Sequence, residues 1–87
     1  MHDERRLHPR TRIFRAAQLF GPAHLCHCIV RDISMGGAGL IMSNTSSIPD
    51  TFDLSFDGAR TLRPCRVVWR TTTEIGLQFE GHRVRPA

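Results

Sequence analysis

Hydrophobic and polar residues alternate through the second half of the chain. Phe52, Leu54 and Phe56 alternate with Asp53 and Ser55. Cys65, Val67 and Trp69 fall on one side of the next run, with Arg66, Val68 and Arg70 on the other. Ile75, Leu77 and Phe79 then alternate with Glu74, Gly76 and Gln78. A period of two gives a strand one dry face and one wet face, so three strands are expected here. Asp57-Gly58 between the first two reads as a two-residue hairpin turn, and residues 71–73 turn the chain again. Upstream, residues 24–33 read as a strand, residues 38–42 as a short apolar strand after Gly36-Gly37, and residues 43–50 as a polar loop. Residues 12–20 fit two descriptions, because Ile13, Ala16, Ala17 and Phe20 would also line one face of a helix. Gly21-Pro22 marks a turn after them. Taken as six short strands, the chain predicts an all-β fold, a closed or nearly closed antiparallel barrel.

The ends have a different character. Residues 1–11 are polar, and Pro9 lacks a donor and biases His8 toward extended geometry, so no helix is expected there. The expected layout is a flexible N-terminal arm over 1–11, a barrel over 12–80 and a tail over 81–87. Pro86 discourages a helix in that tail. With 87 residues the chain is one domain, near the lower limit for a core that folds without staples.

Composition narrows the function. No apolar run approaches the roughly 20 residues that span a bilayer, and Met1 to Arg6 contain no apolar signal-peptide core, so the cytoplasm is the expected location. Every basic side chain is arginine, and Arg5, Arg6, Arg10, Arg12 and Arg15 crowd the first fifteen residues. Arginine is the better shape for phosphate and for the guanine edge. Cys26, Cys28 and Cys65 are odd in number and read as small core residues rather than disulfide partners. His24, Cys26, His27 and Cys28 lack the spacing of a zinc knuckle and have no second ligand pair, so no metal is expected. The histidines stand in no recognisable nucleophile–base–acid set, which disfavours an enzyme.

Two segments carry the candidate chemistry. Arg6 and Arg10 are four residues apart, and Asp32-Ile33-Ser34-Met35-Gly36-Gly37 follows about twenty residues later. Guanidinium groups grip phosphate oxygens or fork onto guanine O6 and N7. The Asp32 carboxylate can accept from guanine N1–H and N2–H, Ser34 can donate or accept, and Gly37 permits a tight turn or close approach. Together they suit an anionic guanine nucleotide.

These segments resemble the PilZ family of bacterial cyclic di-GMP receptor domains. Residues 4–10 match its RxxxR segment, and residues 32–40 match its (D/N)xSxxG segment. Residues 67–70 and 74–79 are similar to the last two barrel strands of the family. The resemblance implies a six-stranded antiparallel PilZ-type barrel with residues 12–20 as a strand, although the long C-terminal helix common in the family is missing. It implies a non-enzymatic second-messenger receptor with Arg6, Arg10, Asp32, Ser34 and Gly37 at the cyclic di-GMP site. Arg5 is a further candidate, because the residue before RxxxR can influence whether one or two ligand molecules are held. Trp69 reads as core or barrel surface and is not counted in the site, although an aromatic beside Arg70 could stack on a base. The expected partners are cyclic di-GMP and a protein effector, with no cofactor. Two alternatives stay open: a small basic barrel that binds single-stranded nucleic acid, and an adaptor that works through protein contacts without the ligand.

Overall fold

The computed structural model describes residues 9–22 and 24–80, with His24 described through its backbone. Six strands follow in order: β1 (Thr11–Gly21), β2 (His24–Ile33), β3 (Gly37–Ile41), β4 (Thr51–Ser55), β5 (Arg63–Arg70) and β6 (Glu74–Phe79). They close into a barrel in the order β1-β2-β3-β6-β5-β4, every neighbouring pair antiparallel. The ambiguity over residues 12–20 resolves as strand. A helix would have buried Ala16 together with Ala17, whereas Ala17 and Leu19 enter the core and Ala16 is exposed. No helix occurs among the described residues.

Alternate residues of each strand fill the interior. Leu19, Val30, Leu40, Leu54 and Ile75 are almost wholly buried, each contributing about 1.5–3 kcal/mol of transfer free energy. One end of the barrel is plugged by the loop between β3 and β4, where Met42 and Ile48 are buried. That loop is tied to the β5–β6 turn by Met42 N–H to Thr73 O (2.9 Å) and Thr45 N–H to Thr72 O (2.9 Å). The opposite end collects the start of β1, the β2–β3 turn and the link between β4 and β5.

That link departs from the two-residue turn expected at Asp57-Gly58. It spans residues 56–62, and both Gly58 and Ala59 have positive φ (72° and 77°). The cause is Ser55, which is buried and must find partners for its hydroxyl. Its oxygen accepts the N–H of Asp57 (3.2 Å) and Ala59 (2.9 Å) and donates to the Asp57 carboxylate (2.8 Å). The Asp57 carboxylate in turn accepts the Thr61 N–H at 2.9 Å. Such local bonds hold the wider loop in place of a hairpin. They also lower the Asp57 pKa, the Thr61 backbone bond first and the Ser55 hydroxyl next.

A second departure lies in β5. Cys65, Val67 and Trp69 do not share one face, because the register slips between Val67 and Trp69. Val68 occupies the extra position and is exposed, Trp69 comes to lie opposite Gly76, and Arg70 lies opposite Ile75. Arg70 then donates to Thr45 O (2.7 Å) and Asp50 Oδ1 (3.0 Å), pinning the β3–β4 loop.

Cys28 and Cys65 are buried, and Cys26 packs partly against the core. Burial pushes both buried thiols up to about 12. In the folded protein a thiol reagent at pH 8 should therefore modify Cys26 well before the other two, with all three reacting in denaturant. The folded state keeps these two protons to about pH 12, whereas an unperturbed thiol releases its proton near 9. Stability should accordingly fall as pH rises from 9 to 12, measured by urea unfolding at each pH.

A Cβ at Gly37 would collide with the Leu77 backbone carbonyl across the β3–β6 pair, and a backbone neighbour cannot swing aside. Gly37→Ala should cost on the order of 1–3 kcal/mol in chemical denaturation.

Candidate functional site

The outer face of the barrel holds a row of paired residues crossing five strands. Arg12 of β1 is opposite Asp32, Asp32 opposite Gly39, Gly39 opposite Gly76, and Gly76 opposite Trp69. Three irregularities bring these residues into line, between Arg12 and Arg15, between Val30 and Asp32, and between Val67 and Trp69. Val30 points inward opposite Leu40, and strict alternation would send Asp32 inward with it. The extra residue, Arg31, instead puts Ile33 against Ala38 on the core side and leaves Asp32 outside over Gly39.

Asp32 is nonetheless nearly covered, at 7% exposure, because two arginines close over it. Arg10 Nη1 donates to Oδ1 at 2.8 Å and Arg31 Nε donates to Oδ2 at 3.0 Å. Arg31 continues to Glu74 on β6, Nη1 to Oε1 at 2.9 Å. Its guanidinium crosses β3 where Gly39 has no side chain, and a Cβ there would run into it. The hydrogen bond to Asp32, reinforced by the charges of Asp32 and Glu74, raises the Arg31 pKa despite the cost of burial. Arg10 is the freer member, with half of its side chain exposed.

Ser34 has a local task. Its hydroxyl oxygen accepts the N–H groups of Gly36 and Gly37, each at 3.2 Å, and its own N–H donates to Gly37 O at 2.8 Å. These bonds shape the β2–β3 turn, which Phe79 N–H ties to β6 through Gly36 O at 2.9 Å. Among the described residues the hydroxyl proton has only a long contact, 3.4 Å to Gly37 O. Gly37 is buried in the sheet by its close approach to Leu77.

Beyond Asp32 the two glycines form a floor that side chains of other strands cover, Arg31 lying over Gly39. The Trp69 indole lies over Gly76, where a Cβ would strike it, and the side chain is 43% exposed. The site is thus an open platform with arginines and a carboxylate at one end and an indole at the other. A cleft of about 560 Å³ and a recess of about 240 Å³ elsewhere on the barrel are lined by neither Arg10, Asp32 nor Ser34.

The structure therefore brings Arg10, Asp32, Ser34 and Gly37 to one edge of the barrel, while Arg5 and Arg6 lie outside the described residues. Arg31, Glu74 and the Gly39–Gly76 floor were not singled out from the sequence. Arg31 stands next to the motif aspartate, but nothing in the linear order connects it with Glu74, 43 positions away.

The family model for the PilZ domain matches residues 4–86 of this chain. The protein belongs to the PilZ domain family. PilZ domains are in general cyclic di-GMP-binding modules, receptors rather than enzymes. No curated protein matches the chain. In this PilZ domain, no helix among the described residues is long and apolar enough to cross a membrane. Among the same residues, no group of three or more His, Cys, Asp or Glu side chains could hold a metal ion.

Trp69 is the lone tryptophan of this PilZ domain, so its emission reports on the platform directly. Gly76→Ala should lift the indole off the floor, shifting the emission to the red and increasing acrylamide quenching. The same substitution should cost on the order of 1–3 kcal/mol in urea unfolding.

Proposed function

We propose that this PilZ domain is a cyclic di-GMP receptor that closes its N-terminal arm over the ligand and passes the signal to a protein partner. The observation that carries the reading is Asp32, a carboxylate held on the outside of the barrel with each oxygen on an arginine. Exchange is cheap at such a place. Arg10, half exposed, can turn from Asp32 to a ligand phosphate, an ion pair exchanged for an ion pair. The released carboxylate oxygen then accepts from guanine N1–H or N2–H, while Arg31 keeps the other oxygen in position.

The remaining parts support a flat, anionic ligand. The Arg31 guanidinium over Gly39 and the exposed Trp69 indole over Gly76 offer planar groups on which a base can stack. Ser34 can redirect its hydroxyl proton at little cost, since that proton now has only the long contact to Gly37. Gly37 maintains the turn, and Arg6, four residues before Arg10, adds a second guanidinium. Arg5 is positioned in the sequence to contribute a third. Fixing the arm costs about 1–2 kcal/mol per residue in backbone entropy, which charge-assisted bonds to two phosphates offset. A closed arm and bound ligand together make a surface that the free protein does not have, and that surface is what an effector protein would read. The messenger is intracellular, which places the receptor in the cytoplasm. No cofactor takes part.

Isothermal titration with cyclic di-GMP tests the proposal. Micromolar or tighter binding is expected, with no binding of cyclic di-AMP. Arg10→Ala and Asp32→Ala should each weaken affinity by at least about tenfold, the loss of one charge-assisted contact of about 1.5–3 kcal/mol. Folded protein that gives no heat at high ligand concentration would remove the receptor reading.

A further inference from the structure

The barrel is closed by the pairing of β1 with β4, but that seam is short. Of β1 (Thr11–Gly21), only Gln18, Leu19 and Phe20 pair with β4. Thr11, Arg12 and Arg15 to Ala17 pair with β2 on one side, interrupted by a bulge at Ile13 and Phe14 (Phe14 φ 43°), and among the described residues nothing pairs with their other edge. This half of β1 is therefore an open strand edge facing the β4–β5 loop, which Gln18 anchors by accepting the Gly58 N–H at 3.2 Å. Exposed backbone donors and acceptors of this kind are a template for an added strand.

A recess of about 240 Å³ adjoins the edge, with Leu54, Phe56 and Phe79 as its apolar walls. Phe56 joins the two features, because its ring carries the Arg15 guanidinium of β1 at 4.9 Å. Phe79 carries Arg63 in the same manner at 4.1 Å. Phe14, next to Arg15, and Leu62, next to Arg63, are exposed apolar side chains. Asp57 is the one carboxylate of the recess, and its Oδ1 is already taken by Ser55 and Thr61.

We propose that this groove docks an extended, acidic segment of a partner protein, which pairs with the open edge of β1 and sets an apolar side chain in the recess. Charge selects the occupant. Arg12 and Arg15 on the edge would face their own copies in a second molecule, so like charge opposes edge-to-edge dimers while it attracts glutamate or aspartate. Single-stranded nucleic acid fits less well, because a base needs a free ring face and Phe56 and Phe79 each hold an arginine. The groove lies on the edge of β1 opposite to β2 and Asp32, so the inference does not depend on the cyclic di-GMP reading.

The test is amide-resolved NMR titration of the whole protein with an eight-residue peptide alternating glutamate and leucine. Binding with shifts over residues 12–17 and at Leu54, Leu62 and Phe79 is expected. Substituting lysine for glutamate, serine for leucine, or N-methyl amides at alternate positions should each weaken it at least tenfold. Arg15→Glu with Arg63→Glu should do the same while keeping the thermal melt cooperative and cyclic di-GMP binding unchanged. Should that double variant not fold, Arg15→Gln alone replaces it, with an expected weakening of at least threefold. Equal binding of the lysine or N-methylated peptide, shifts confined to another face, or no binding at all would overturn the proposal. Concentration-dependent dimerisation through residues 12–17, or tighter binding of oligo-dT than of the acidic peptide at the same residues, would overturn it as well.

Discussion

Everything on the outer platform depends on strands that fail to alternate. A six-stranded barrel with perfect period two would turn Asp32 toward the core beside Val30, where an ionised carboxylate is costly to hold. One extra residue in β2 turns it outside, and the same residue, Arg31, supplies the guanidinium that holds it there. The irregularity in β5 has the matching effect on Trp69, carrying the indole to the same row on the far side of Gly39 and Gly76. Bulges of this type re-aim side chains locally and leave the rest of the ladder intact. Here they place two kinds of chemistry, charge and aromatic surface, at opposite ends of one line across the sheet.

The glycines of the segment divide by task. Gly37 is required by backbone packing, since Leu77 leaves no room for a Cβ. Gly39 and Gly76 leave room for side chains from other strands, Arg31 and Asp32 over one and Trp69 over the other. A platform paved this way keeps those side chains low against the sheet, fixed by hydrogen bonds and packing. Arg10 is the exception. It comes from the residue just before β1, it is half exposed, and it holds Asp32 by one bond.

Much of this was legible in the order of residues. Alternation in Phe52 to Leu54 and in Ile75 to Phe79 matches the strand faces, but it fails at Ser55, which is buried, and at Phe56, which lies in the loop beyond β4. The two motifs name Arg10, Asp32, Ser34 and Gly37, and the fold brings these four to one edge of the barrel. Alternation misled at Trp69, where the extra Val68 is as apolar as its neighbours and gives no signal of a bulge. Asp57-Gly58 misled for a different reason: the buried Ser55 hydroxyl recruits the following backbone into a seven-residue loop, a demand set by burial that the dipeptide does not encode. The Arg31–Glu74 pair was invisible because it reaches from β2 across β3 to β6, strands far apart in the chain that meet only in the folded sheet.

The position of Gly37 has a consequence for how such sequences drift. On the proposed function, selection on the ligand acts on Arg6, Arg10 and Asp32, whereas selection on the barrel itself acts on Gly37. A descendant that abandons the messenger and survives as a scaffold should lose its arginines and its aspartate while the glycine persists. Within one motif, then, the glycine is a marker of ancestry and architecture, and the charged residues are the marker of present use.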